Sequence, residues 1–278
     1  MKNRNREKPT FANINLLGKC ICDCYFCLGK DIPELLNKHD QTRLHFDHWK
    51  NFNTFLKICK QNNIKNIYLT GQNTDPILYK YLKEIILYLK REGFRVGIRT
   101  SGYGFLYHLE ALNELDAGIG LSIHSLNRYM NTQAIGRNDL PPWEQIISWL
   151  DKNKKRWRVA SVINQYNGFI DLLEISKLLK GRNLAYWQIR RVSSDKKDRE
   201  YEQRKYNQLR TYFKNNFPYL GDFYLSEGYL FKGIPTYFWA TVETSANSFN
   251  YFTDGTISKE YFVVEGYEKN YLKKELVE

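Results

Sequence analysis

Read only for its apolar and polar positions, the chain repeats one pattern: a short aliphatic run, then a longer stretch with apolar residues every third or fourth place. The first run, Phe11 to Leu17, is short and dense enough to be a buried strand. Phe46 to Lys60 follows, with Phe52, Phe55, Leu56 and Cys59 spaced as the stripe of an amphipathic helix. Ile64 to Thr70 predicts a second strand. Pro76 then opens a helix over Ile77 to Glu92 that Gly93 ends, and Arg95 to Gly102 predicts a third strand with its exit turn. The alternation continues with a helix at Leu106 to Asn113, a strand at Gly118 to Ser125, and a helix at Pro142 to Asn153. A strand at Trp157 to Asn164, a helix at Ile170 to Lys180 and a strand at Ala185 to Val192 complete it.

Six strands alternating with helices predict an α/β fold with a parallel sheet. Right-handed crossovers curl such a sheet into a barrel or three-quarter barrel whose site lies at the C-terminal strand ends. Beyond it the texture changes. Lys197 to Asn216 reads as a charged helix, and from Phe217 onward Tyr and Phe alternate with Gly and Pro. Ser248 to Ser258 has the form of a hairpin closed by Asp254-Gly255. The expected organisation is a basic leader (1–10), a barrel (11–194), and a helix with a β-rich C-terminal extension (195–278) along the barrel's open side.

Composition narrows the class. The chain has 278 residues, 42% of them hydrophobic, enough for one large domain with a substantial core. No apolar run reaches the ~18 residues that cross a bilayer, and no signal-type segment follows the basic start, so the expected setting is cytoplasmic, with no membrane partner. The formal charge of +12 favours an anionic partner: a nucleotide, a nucleic acid or an acidic reductant protein. Two basic runs, Lys152 to Arg158 and Arg190-Arg191 with Lys196-Lys197, are open to two readings, solvated faces or phosphate contacts.

The chemistry concentrates in one place. Four of the chain's five cysteines fall between positions 20 and 27, and Cys20, Cys24 and Cys27 form C-x3-C-x2-C with Phe26 just before the last. Three thiolates on one loop suit a [4Fe–4S] cluster that keeps one iron open for a ligand. A structural zinc site is the plainer alternative, but it draws on two separated pairs, and no second C-x2-C exists. Cys59 lies on a helix stripe and reads as a core thiol. Cys22 fits no ligand pattern; it is either a bystander facing away or a fourth thiolate that would close the vacancy. Gly-x-Gly-x-x-Gly loops, Walker lysines and His-Glu-x-x-His helices are absent from the sequence.

The cysteine spacing after a first strand resembles the signature of the radical S-adenosylmethionine (radical SAM) enzymes. Tyr68 to Pro76 stands where that family has a Gly-Gly-Glu-Pro-like segment, although only Gly71 and Pro76 match and Gln72 replaces the usual Glu. The resemblance spans residues 11 to about 194 and implies a partial parallel (β/α)6 TIM-like barrel, metal ligands Cys20, Cys24 and Cys27, and S-adenosyl-L-methionine as second cofactor. It implies that one reducing electron, from a flavodoxin- or ferredoxin-like protein, cleaves the sulfonium to a 5′-deoxyadenosyl radical that takes a hydrogen atom from the substrate. It also implies cofactor contacts at Phe26, Gly71, Gln72 and Asn73, and at the strand-end residues Ser122, His124, Asn164, Arg190 and Arg191. Of the two arginines, alternation turns only one inward. Thr100 and Ser101 are weaker candidates. Charge and aromatic content lean toward a nucleotide or RNA base as substrate, with a peptide or small metabolite as the alternative. A non-catalytic zinc or iron-sulfur module gripping nucleic acid is the competing class.

Overall fold

The computed structural model describes residues 10–27, 42–72, 74–192, 200–223, 226–239 and 248–258. Phe11–Leu17 forms strand β1, as its density of apolar residues predicts. It is followed in the sheet by β2 (Asn66–Gln72), β3 (Arg95–Thr100), β4 (Gly118–Ser122), β5 (Trp157–Ile163) and β6 (Leu184–Arg191), all parallel and in chain order. β5 shows the principle by which each strand works. Trp157, Val159 and Ile163 are buried on one face among the helices, while Arg158, Ala160 and Val162 turn to the concave side.

The helices are α1 (Phe52–Gln61), α2 (Leu82–Arg91), α3 (Leu109–Asn113), α4 (Arg128–Ile135), α5 (Trp143–Lys152), α6 (Phe169–Leu179) and α7 (Glu200–Asn216). They cover the outer, apolar face, except α4, whose end packs on the loop that follows β1. α2 buries Leu82, Ile85, Ile86 and Leu89, the three-and-four stripe that its sequence carries. Two expected helices are interrupted. The stretch from Phe46 forms a 3-10 turn, Phe46–His48, and then passes Asn51 in the left-handed conformation that Asn tolerates before α1 begins. A second 3-10 turn, Pro76–Leu78, likewise precedes α2. β4 ends at Ser122, so His124 stands in the loop beyond it.

The C-terminal extension lengthens the sheet at both edges. β9 (Ile234–Trp239) pairs in parallel with β6 and antiparallel with β8 (Ser226–Phe231), which pairs with β7 (Tyr219–Phe223). The β8–β9 hairpin turns through Lys232-Gly233, both at positive φ, the geometry of a tight two-residue loop. On the far side β10 (Ser248–Phe252) pairs in parallel with β1, and the expected hairpin is completed by β11 (Ile257–Ser258). The result is an open eleven-stranded sheet in the order β11-β10-β1-β2-β3-β4-β5-β6-β9-β8-β7. Asn13 donates to Asn250 at 2.9 Å and Thr70 to Asn15 at 2.6 Å, a buried polar ladder across β10, β1 and β2. No helix among the described residues is long and apolar enough to cross a membrane.

Candidate active site

The cysteine loop leaves the C-terminal end of β1 and is pinned across the strand ends by several elements. The Thr74 hydroxyl, in the loop after β2, donates to the Lys19 carbonyl at 2.8 Å. The amides of Asp23 and Tyr25 donate to the carbonyls of Ile135 and Ala134 at the end of α4, at 2.8 and 3.3 Å. Arg137 donates to the Ile21 carbonyl at 3.3 Å while paired with Asp139 and lying 4.4 Å over the Tyr103 ring. The Tyr25 hydroxyl donates to Glu202 of α7 at 3.1 Å and accepts from the Gln165 amide at 2.9 Å.

Within this frame all five cysteines are free thiols; the four of the loop are half-buried, and Cys59 is buried in the α1 core as expected. Among the described residues no three Cys, His, Asp or Glu side chains are gathered in metal-binding geometry. The donor set nevertheless fits an iron-sulfur group, since four thiols share one short loop. Cys27 follows Cys24 by a turn in which its amide donates to the Cys24 carbonyl at 3.0 Å. Cys22 does not face away. It packs with Cys24 against Tyr103, Ala134 and Ile135, within hydrogen-bonding reach of Cys20, Cys24 and Ser101. Its thiol is pushed up to about 12; the contact with Cys20 lowers it, but the contact with Cys24 and burial outweigh that. Hydrogen bonding to Cys22 and then burial raise Cys20 as well. Such thiols become thiolates when a metal group takes the place of their protons.

The other predicted residues stand partly around the loop and partly apart from it. Gly71 is demanded by the backbone: a Cβ there would lie 1.9 Å from the Thr74 carbonyl oxygen. Gln72 is buried beside it at the end of β2, in register with Leu17; Asn73 lies outside the described residues. Asp75, which sequence reasoning gave no role, fastens this segment to β3. Its carboxylate accepts from the Ser101 amide and hydroxyl at 2.7 and 2.6 Å and from Thr100 at 2.9 Å, which explains both strand-end hydroxyls. Burial pushes the Asp75 carboxyl upward against those bonds.

Ser122 is half-buried at the end of β4. His124 is 8% exposed, its ring 5.0 Å from that of Phe26 and edge-on to it, and its Nδ1 accepts from the Val162 amide at 3.1 Å. Burial lowers its pKa to about 4, so the ring is neutral, with its proton on Nε2. Asn164 is tied into its own turn: its side chain donates to the Val162 carbonyl at 3.1 Å and accepts from the Tyr166 amide at 2.9 Å. Arg190 turns to the concave side, where it lines a cavity. Arg191 turns away, and its Nε has no hydrogen-bond partner among the described residues.

Sequence reading missed α4, whose end holds the cysteine loop. The signals were present: Asn127 caps it by accepting from the Met130 amide at 3.1 Å, and Gly136, at φ 71°, ends it.

No family model and no curated protein matches the sequence. Solved structures do. SuiB of Streptococcus suis bound to S-adenosylmethionine superposes with a TM-score of 0.64 at 11% identity, over 91% of this chain and 60% of SuiB. SuiB bound to its precursor peptide SuiA gives 0.63 at 12% identity, over 94% and 64%. Spore photoproduct lyase complexed with dinucleoside spore photoproduct gives 0.50 at 15% identity, over 82% and 72%. The chain thus spans less than two thirds of the length of SuiB, and the likeness is one of fold.

Proposed function

We propose that this chain, which has the partial-barrel fold of the radical SAM enzymes, is itself a radical SAM enzyme. The observation that carries the reading is the seat of the cysteine loop: C-x3-C-x2-C follows the C-terminal end of β1, tied to the segment after β2 through Thr74 and packed on the β4 loop at His124. Cys20, Cys24 and Cys27 are the residues that would hold a [4Fe–4S] cluster. Gly71, Gln72 and Asn73, with Phe26, Ser122 and His124, are the group that would hold S-adenosylmethionine. When bound, the pair supplies reductive cleavage of a sulfonium and removal of a hydrogen atom from the substrate.

The protein's part is placement and exclusion of water. Tyr25, Phe26 and Tyr166 form an edge-to-face aromatic set beside the loop, and Tyr103 packs with Cys22 and Cys24, so apolar surface lines part of it. His124, neutral and anchored through Nδ1, can donate through Nε2 without adding charge. Thr74, Arg137, Tyr25 and Glu202 hold the loop from three sides. A one-electron reductant of flavodoxin or ferredoxin type completes the requirement, in a cytoplasmic setting that keeps the thiols reduced. A nucleotide or RNA base is the substrate class that the basic charge favours.

Anaerobic reconstitution with iron and sulfide tests the metal half of this reading. The expected product is brown protein with about four irons per chain, whose reduced electron paramagnetic resonance signal changes on adding S-adenosylmethionine. Colourless protein holding one zinc, with no iron uptake, would favour a zinc module instead.

A further inference from the structure

Tyr25 stands between two of the cysteines assigned to the cluster, Cys24 and Cys27, so the place where its side chain is held decides the course of the loop between them. Its hydroxyl is held twice. It donates to Glu202 of α7 at 3.1 Å, across 177 positions of sequence, and accepts from the Gln165 amide, in the turn after β5, at 2.9 Å. That turn is itself fixed. The Asn167 side chain accepts from the Asn164 amide at 2.8 Å and donates to the carbonyls of His124 and Val162 at 2.8 and 2.9 Å. Lys205, one turn of α7 beyond Glu202, donates to the carbonyls of Asn164 and Gln165 at 3.1 and 3.2 Å. Gly168 leaves room for it, since a Cβ there would lie 3.3 Å from Lys205 Cε. One face of α7 thus grips both the hydroxyl and the turn to which that hydroxyl is bonded.

Stability alone does not call for this arrangement. Glu202 is 3% exposed, and the same face of α7 continues through Tyr206, Leu209 and Phe213, all buried in the apolar core. A carboxylate at such a position costs desolvation that an apolar residue of similar size would avoid. What the carboxylate adds is direction: it accepts from one hydroxyl at one place on the loop, and Lys205 stands close enough for the two charges to interact. The helix that carries it is anchored away from the loop, through Phe213 at 4.8 Å from the rings of Phe231 and Phe238. The Tyr25 ring passes the placement on. It lies edge-on to Tyr166 and Phe26 at 5.6 and 5.4 Å, and Phe26 lies edge-on to His124 at 5.0 Å.

We infer that Glu202, with Lys205 beside it, is a positioning residue of the cluster site: through the Tyr25 hydroxyl it fixes the segment from Cys24 to Cys27 and sets the Phe26 ring against His124. The contact stands on its own geometry; that the positioned thiols carry a cluster rests on the function proposed above. α7, which follows the partial barrel in the chain, is thereby part of the site.

Thiol footprinting of the metal-free full chain reads the placement before any metal is bound. With iodoacetamide as the reagent and each cysteine followed by mass spectrometry, Glu202→Ala and Tyr25→Phe should let Cys24 and Cys27 react about fivefold faster or more, the scale of one lost hydrogen bond. Tyr25→Phe keeps the ring and loses only the hydroxyl. Glu202→Gln, which can still accept from Tyr25, should recover most of the protection, and the double variant Tyr25→Phe/Glu202→Ala should match Tyr25→Phe, because both changes remove the same bond. Cys59, in the α1 core, should react no faster in any of them, which checks that each is folded; if Glu202→Ala unfolds, Tyr25→Phe set against Glu202→Gln decides. After reconstitution, Tyr25→Phe and Glu202→Ala should also lose iron to EDTA about fivefold faster than the unaltered chain. Unchanged alkylation in folded Tyr25→Phe, no recovery by Glu202→Gln, or additive effects in the double variant overturns the inference. Faster alkylation in a protein that takes up no iron would keep the positioning contact and refute the cluster. A cluster that loads and is retained alike in every variant would keep the cluster and refute the positioning contact.

Discussion

Lowering the pH should expose the buried state of His124. The folded ring resists protonation until about pH 4, whereas an imidazole in the unfolded chain takes a proton near its ordinary 6.5. Between those values the unfolded state binds more protons, so stability falls as the pH falls through the window and is unaffected above it. The difference corresponds to a loss of about 2 kcal/mol at pH 5 and about 3 kcal/mol at pH 4. Asp75 and surface ion pairs also titrate, so the comparison must be differential. Urea unfolding of the metal-free chain at pH 7.5, 6.0 and 5.0 should be set against His124→Gln, whose side-chain oxygen can still accept from the Val162 amide. The variant should start less stable, because it loses the Phe26 contact, and the gap should close by about 2 kcal/mol at pH 5. Parallel curves would refute a buried neutral ring and, with it, the packing of the cysteine loop on the β4 end.

Other perturbations have equally definite outcomes. Gly71→Ala must displace the Thr74 carbonyl, which a Cβ would approach to 1.9 Å, and equilibrium dialysis should show S-adenosylmethionine affinity reduced by about tenfold or more. Phe213→Ala removes a ring 4.8 Å from Phe217, Phe231 and Phe238 that joins α7 to the extension strands; urea unfolding should report a loss of about 3 to 5 kcal/mol. Cys59→Ala, in the α1 core, should cost about 1 kcal/mol in the same assay while leaving iron content unchanged.

The six sheet strands were legible because each carries an apolar face in a run of strand length. Of the extension, the β10–β11 hairpin was legible from its Asp254-Gly255 turn, but its place in the sheet was not. All five residues of β10 are buried, so no alternation tells which face meets the core, and its parallel partner β1 lies at the other end of the chain. The breaks before α1 and α2 were hidden because the apolar stripe runs on through them; only Asn51 marks the first. At the site, spacing alone identified the cysteines, but not that Cys22 turns inward with them, which depends on contact with α4. Asn164 looked available at a strand end, yet its amide is spent on its own turn.

The most direct test of the central claim is the yield of 5′-deoxyadenosine and methionine from S-adenosylmethionine under dithionite, measured on reconstituted protein. The account predicts formation of both products by the unaltered chain and by Cys59→Ala, and none by Cys20→Ala, Cys24→Ala or Cys27→Ala. An intact cofactor after incubation with fully iron-loaded protein, or undiminished cleavage by any of those three variants, would contradict it.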